Sequence, residues 1–281
     1  MQGAMSAPDF ELALRGGIFL AVFAALAFWE RFAPARVLTL PRARRWGANL
    51  GLALISTLIV RIVVPGSAVA VAVIAGNEGW GLLHRLDVPV WAAAIAAVVL
   101  LDLTVYLQHV LFHSVPLLAR LHAVHHADPD FDLTTGVRFH PLEILLSAFI
   151  KIAAVAAIGA PAISVIVFEV LLNGTAMFNH ANVSLPGPLE KWVRRVLVTP
   201  DMHRIHHSVV ERERNSNYGF CLSLWDRLLG TYTSAPRGEL EIWLSAWRDA
   251  RTIATLPGVL GMPFRHEPAA RGSLSAWVRD P

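Results

Sequence analysis

Five long apolar runs separated by short polar stretches set the first expectation for this chain. Phe10 to Trp29 is apolar apart from Glu11 and Arg15, Trp46 to about Val64 stops at Pro65-Gly66, and Val88 to Gln108 follows. Pro141 to Ile158 and Pro161 to Phe178 are joined at Gly159-Ala160-Pro161, a turn signal. A helix crossing a bilayer takes roughly 20 apolar residues, so each run predicts a transmembrane helix. The first run ends in Phe28-Trp29-Glu30-Arg31 rather than a small-residue cleavage site, which marks it as a retained anchor. Ser67 to Gly76 is too short to span and is expected to be re-entrant or interfacial. In Pro188 to Val198 the apolar residues fall at helical spacing with Lys191, Arg194 and Arg195 on other faces, predicting a helix on the headgroup layer.

Charge orients these elements. The loop after the first run carries Arg31, Arg36, Arg42, Arg44 and Arg45 against Glu30 alone, which places it in the cytoplasm by the positive-inside rule. Asn77 to Asp87, with Glu78, Asp87 and Arg85, then lies outside, and Val88 to Gln108 returns inward. On this topology the N-terminus is outside and the C-terminal tail inside.

Composition agrees. The 281 residues are 55% hydrophobic and 16% charged, too apolar for an ordinary soluble domain. The net charge of +3 is modest, and short arginine stretches between apolar runs fit anionic lipid headgroups rather than nucleic acid. The single cysteine, Cys221, excludes an internal disulfide and an iron–sulfur cluster.

Histidine changes the picture. Ten of the twelve histidines fall between 109 and 207. His109 and His113, then His122, His125 and His126, then His203, His206 and His207 have spacings that share a helix face, so each group is expected to project together. With His180 they exceed what one tetrahedral ion requires, and two metals are the simpler reading. Imidazole suits zinc, copper, iron and nickel, so spacing alone does not choose among them. The predicted fold is therefore all-α: a multi-pass transmembrane helical bundle with a cytoplasmic histidine-rich helical cap. Asp102, two turns before His109, is a candidate to hold an imidazole N–H or to bond within the bundle. Glu143, Asp201, Asn217 and Asp226 are candidates to support ligands or cap helices. Lys151 and Glu169 are expected to pair. Isolated His84 and His266 are expected to play no part.

H109-x3-H113, H122-x2-H125-H126, R138-F-H140-P-L-E143, N179-H180 and H203-x2-H206-H207, followed by N217-Y218-G219 and W225-D226-R227-L228-L229-G230-T231-Y232, resemble the fatty acid hydroxylase/sterol desaturase superfamily. The resemblance implies a membrane enzyme with two histidine-ligated Fe ions, using O2 as co-substrate and two electrons to hydroxylate or desaturate a lipid. It divides the chain into a transmembrane region at 1–94, a di-iron domain at 95–235 and a cytoplasmic tail at 236–281. Some members place another ligand four residues before the equivalent of His180. Here that position is Ala176, leaving Asn173, Asn179, a water or His140 to fill it. No H-E-x-x-H or G-x-S-x-G is present, which disfavours a zincin or a serine esterase. A membrane zinc hydrolase stays open, as does a non-catalytic metal-binding protein, although the latter would more naturally carry its histidines near the bilayer midplane. Nothing resembles a flavin, nicotinamide or haem motif, so a separate reductase with a ferredoxin or cytochrome is expected to supply electrons.

Overall fold

The computed structural model describes residues 7–64, 66–242, 244, 247 and 249–265, with side chains from residue 13 onward; His266 and the end of the expected tail lie outside the described residues. The described residues are helical, with two isolated β-bridges, Leu197 to Leu222 and Ser208 to Ile242. Among the described residues, five stretches are long and apolar enough to cross a membrane: Ala13–Phe32, Arg42–Arg85, Val90–Ser114, Pro141–Ile158 and Ala162–Asn179. They correspond to helices α1 (Ala7–Phe32), α2 with α3 (Arg42–Val63 and Ala68–Glu78), α4 (Val90–Ser114), α6 (Pro141–Ile158) and α7 (Ala162–Asn179). α5 (Pro116–His126) occupies part of the polar stretch between α4 and α6, and the short α8 (Gly187–Val193) follows α7 where the sequence predicts the headgroup-layer helix.

The apolar surface faces outward. Leu54, Leu58 and Ile62 on α2, Ile95, Leu107 and Leu111 on α4, and Ile163 on α7 are all exposed, the arrangement that a hydrocarbon solvent allows. Inside, Ala72 and Ala97 let helices approach closely, and Leu101, Val155, Val165 and Phe168 fill the core where α3, α4, α6 and α7 meet. A second core joins α2 to α5 and the C-terminal part through Ala48, Leu52, Ala123, Val124, Trp247 and Ile253. Charged side chains of α1, α6 and α7 pair within the bundle, Glu169 meeting both Lys151 and Arg15.

α3 has 11 residues, about 16 Å at 1.5 Å per residue, too short to cross. It packs against α6 and α7 and stops at Gly79, whose φ of 66° provides a left-handed cap. The following loop seals the α6–α7 turn. Leu82 N donates to Ala157 O at 2.9 Å, and a Cβ on Gly159 would lie 2.4 Å from Trp80 O and 2.7 Å from the His84 ring. His84 thus packs on a turn at the end of the bundle opposite α5. The basic loop, the C-terminal ends of α4 and α7 and the start of α6 gather at the other end.

Gly159 also has φ +71°, so Gly159→Ala is expected to cost ~1 kcal/mol or more. A lowered thermal unfolding midpoint in detergent is the expected result, and an unchanged one would show that the turn tolerates a side chain.

Candidate metal centre

Nine histidines converge at that end, none more than 3% exposed. His109, His113, His122, His126 and His206 form one group and His125, His180, His203 and His207 a second, with the ligand atoms of each within 4.8 Å of one another. The groups share a wall: the His126 and His207 rings stack at 4.4 Å, and those of His122 and His125 lie 5.1 Å apart.

The expectation that each H-x-x-H-H run projects as one unit is corrected here. Each run is split. α5 gives His122 and His126 to the first group and His125 to the second, whereas α9 (Pro200–His206) and the residue after it give His203 and His207 to the second and His206 to the first. At 3.6 residues per turn, i+3 and i+4 fall to opposite sides of i on one helix face, so a facing helix can draw them into different groups. The two runs face each other, so their donors interleave.

Outer hydrogen bonds fix which nitrogen carries the proton in four of the rings. A carbonyl oxygen only accepts, so His109 Nδ1 donates to Tyr218 O at 2.7 Å, His206 Nδ1 to Ser216 O at 2.7 Å and His180 Nδ1 to Ala176 O at 2.6 Å. His122 Nδ1 donates to Glu143 Oε1 at 2.7 Å. In all four neutral rings Nε2 is left as a bare lone pair. Yet His109 Nε2 and His122 Nε2 lie 3.1 Å apart, and His180 Nε2 is approached to 3.1, 3.0 and 3.2 Å by Nε2 of His125, His203 and His207. Two lone pairs cannot bond each other, and one lone pair cannot accept three N–H groups. His206 Nε2, His125 Nδ1 and His203 Nδ1 are buried without a hydrogen-bond partner among the described residues. A cation in each group removes the conflict: nitrogens ~2.0–2.1 Å from one ion at right angles are about 3 Å apart.

Electrostatics prepares the same outcome. Burial pushes His122 and His180 down to about 3, and burial with neighbouring imidazoles holds His125, His126, His203 and His207 well below the ordinary histidine range. Neutral imidazole is the form that binds metal. Five and four nitrogen donors, with no thiolate, suit a first-row ion with room for further ligands better than a closed four-coordinate zinc site.

The remaining candidates fall around this centre in specific places. His140 is corrected: it stands outside both groups, its Nδ1 capping α6 by accepting from Leu142 N while Nε2 faces Leu260 O at 3.2 Å. Nor does a side chain fill the position of Ala176. Asn173 bonds Glu169 O, Asn179 bonds Phe220 O, and a Cβ on Gly136 would meet Ala176 O at 2.5 Å, so the backbone is already crowded there. Asp102 touches no imidazole; it accepts from Cys221 N, Leu222 N and Trp225 Nε1. Asp226 accepts from Tyr218 N and Gly219 N, and Asn217, at φ 53°, bonds Met202 O and Thr233 O. These three side chains thus shape the 215–226 segment whose carbonyls face His109 and His206. Asp201 pairs with Arg204 while Thr199 caps α9.

One support lay outside the sequence reading. Arg45, fully buried and expected among the exposed cations of the basic loop, grips Asp128 through two nitrogens at 2.7 and 2.8 Å and Asp132 at 2.6 Å. Asn49 bonds Asp128 and Thr134, and Arg138 reaches Asn49, Val124 O and Ile253 O. Burial raises the Asp128 carboxyl, but Arg45 and Arg138 bring it down to about 2. The signal was the run D128-P-D-F-D132 directly after the first histidine cluster: three acids so placed need a buried cation.

The family model for fatty acid hydroxylases matches residues 94–231. Over 150 residues the chain is 31% identical to ornithine lipid hydroxylase OlsE of Rhizobium tropici, covering 53% of this chain and 44% of that protein. It is 28% identical to alkylglycerol monooxygenase of Homo sapiens over 142 residues, 50% of this chain and 30% of that one. It is also 28% identical to cholesterol 25-hydroxylase of Mus musculus over 149 residues, 52% and 48% respectively. The chain spans less than half the length of each of these relatives. No solved structure matches it.

Two substitutions probe the supports. Arg45→Ala strands two buried carboxylates and is expected to lose about 3–5 kcal/mol of stability, read as reduced folded yield and a lower unfolding midpoint. Glu143→Gln should leave the fold intact but weaken metal retention roughly 10 to 100-fold, measured by competition with a chelator; unaltered retention would show that the His122 contact does not tune the site.

Proposed function

Because the chain belongs to the fatty acid hydroxylase/sterol desaturase superfamily through residues 94–231, we propose that it is an O2-dependent di-iron enzyme that hydroxylates an aliphatic position of a membrane lipid. The observation that carries the reading is the convergence of nine neutral, buried imidazoles in two adjacent groups with lone pairs facing one another. Two irons, held by His109, His113, His122, His126 and His206 and by His125, His180, His203 and His207, would supply the redox chemistry that an unactivated C–H bond requires. Zinc has no redox chemistry of its own. Replacing C–H by C–O–H with O2 consumes two electrons and two protons and releases water. Hydroxylation is favoured over desaturation because the relatives above are named as hydroxylases and a monooxygenase.

The chain's own residues hold and shield. Tyr218 O, Ser216 O, Ala176 O and Glu143 fix four rings with Nε2 inward. Phe139 stacks on His125 at 4.3 Å, and Phe131 lies against His180 at 5.3 Å, so aromatic surface rather than water borders the second group. The site lies at the ends of spanning helices, where a lipid chain is available without leaving the bilayer. The arginine-rich α1–α2 loop at the same end supports a cytoplasmic active site, within reach of a separate reductase with a ferredoxin or cytochrome. The single cysteine excludes an internal iron–sulfur relay.

Purified protein reconstituted with ferrous iron is expected to hold about two irons per chain and, with an electron donor and lipid extract, to consume O2 while forming an alcohol. His125→Ala and His206→Ala should each abolish turnover and reduce bound iron, whereas His84→Ala should change neither. The oxygenase reading fails if the iron form consumes no O2 with any lipid while the zinc form hydrolyses one.

A further inference from the structure

Between the end of α1 and the start of α2 lies a cavity of about 470 Å³ whose lining includes Glu30, Arg31, Ala35, Arg36, Val37 and Arg42. Three arginines and one glutamate are thus among its lining residues. Glu30 is fully buried beneath them, and its Oε1 is already taken by Leu133 N at 2.7 Å and Asn182 N at 2.8 Å. Its Oε2 reaches only Arg42, at 3.8 Å. Arg36 gives Nη1 to Leu240 O at 2.9 Å, and the Arg31 guanidinium rests over the Phe32 ring at 5.9 Å with no carboxylate near it among the described residues. The cavity therefore carries an uncompensated positive charge and forked N–H donors.

Its rim is the opposite. Phe28, Phe32 and Val37 are 67, 68 and 94% exposed. Apolar side chains held outward beside three arginines, of which Arg36 donates to Leu240 O and Arg42 to Glu30 O, match at the end of a spanning helix the boundary between acyl chains and phosphates.

We propose that this cavity binds the phosphate of a lipid headgroup. Guanidinium forks suit phosphate oxygens in paired contacts, and the exposed Phe and Val side chains would rest on the acyl chains of the same lipid. Phosphate is the shared chemistry of a lipid headgroup and of the free ion; the apolar rim favours the lipid. The floor of the cavity is tied to the metal centre. Asn182, two residues after His180, accepts from Ala35 N through its carbonyl and from Arg36 N through its side chain, and its amide donates to Arg36 O. A headgroup bound here would be anchored to the loop that carries a second-group histidine.

Binding is measured without turnover, so its failure and that of the oxygenase reading are separable. The full-length metal-loaded protein in detergent is titrated with phosphatidylglycerol, with diacylglycerol of the same chains and with inorganic phosphate, and retained lipid is read by native mass spectrometry. Phosphatidylglycerol is expected to bind at one site, diacylglycerol not to be retained, and Arg31→Gln, which breaks no hydrogen bond, to weaken binding roughly tenfold or more. The double variant Arg31→Gln/Arg42→Gln should remove it, while Arg85→Gln at the opposite end should have no effect. Equal retention by wild type and Arg31→Gln, or equal retention of diacylglycerol, would overturn the proposal. So would displacement by inorganic phosphate at the lipid's own concentration, which would make this a site for the soluble ion.

Discussion

Neutral imidazoles brought nitrogen to nitrogen in a dry interior repel one another unless a cation lies between them. In this chain four rings have their protons committed outward, to three carbonyls and one carboxylate, so the inward nitrogens have only lone pairs to present. Most of the polar architecture follows from keeping them there. Asp102, Asp226 and Asn217 contact no histidine ring, yet they hold the strand of backbone whose carbonyls do. Removing any of these would release the orientation before it released the ligand.

The second demand is to anchor that polar cap on an apolar bundle. A buried arginine with two carboxylates is a costly device, because desolvating the charges offsets most of their attraction. Arg45 is nonetheless placed where α2, the segment after α5 and the turn before α6 meet, and each of its three nitrogens finds an acceptor. Its contribution is registry rather than net stability: one geometry of the 128–135 segment satisfies the fork, and that geometry sets where α5 ends.

The spanning helices and the histidine runs were legible because they rest on local periodicity. The 18-residue apolar runs flanking Gly159, and the three-and-four spacing at 122–126 and 203–207, express themselves within one helix. What escaped depends on contacts across the fold. Spacing alone could not show that each triplet divides between two groups, because the facing helix decides that. Arg45 looked like a headgroup contact because its loop is basic, whereas its partners lie 83 and 87 residues away. His140 sits in a histidine-rich context and so read as a possible ligand, but as the residue before Pro141 it takes an extended conformation and serves as the N-cap of α6.

Each of the two short helices contributes donors to both groups, so neither group can be repositioned without the other. On the proposed two-ion reading, an ion in either group would hold α5 and α9 for the other as well, and the two sites would be coupled through the helices they share rather than through any contact between the ions.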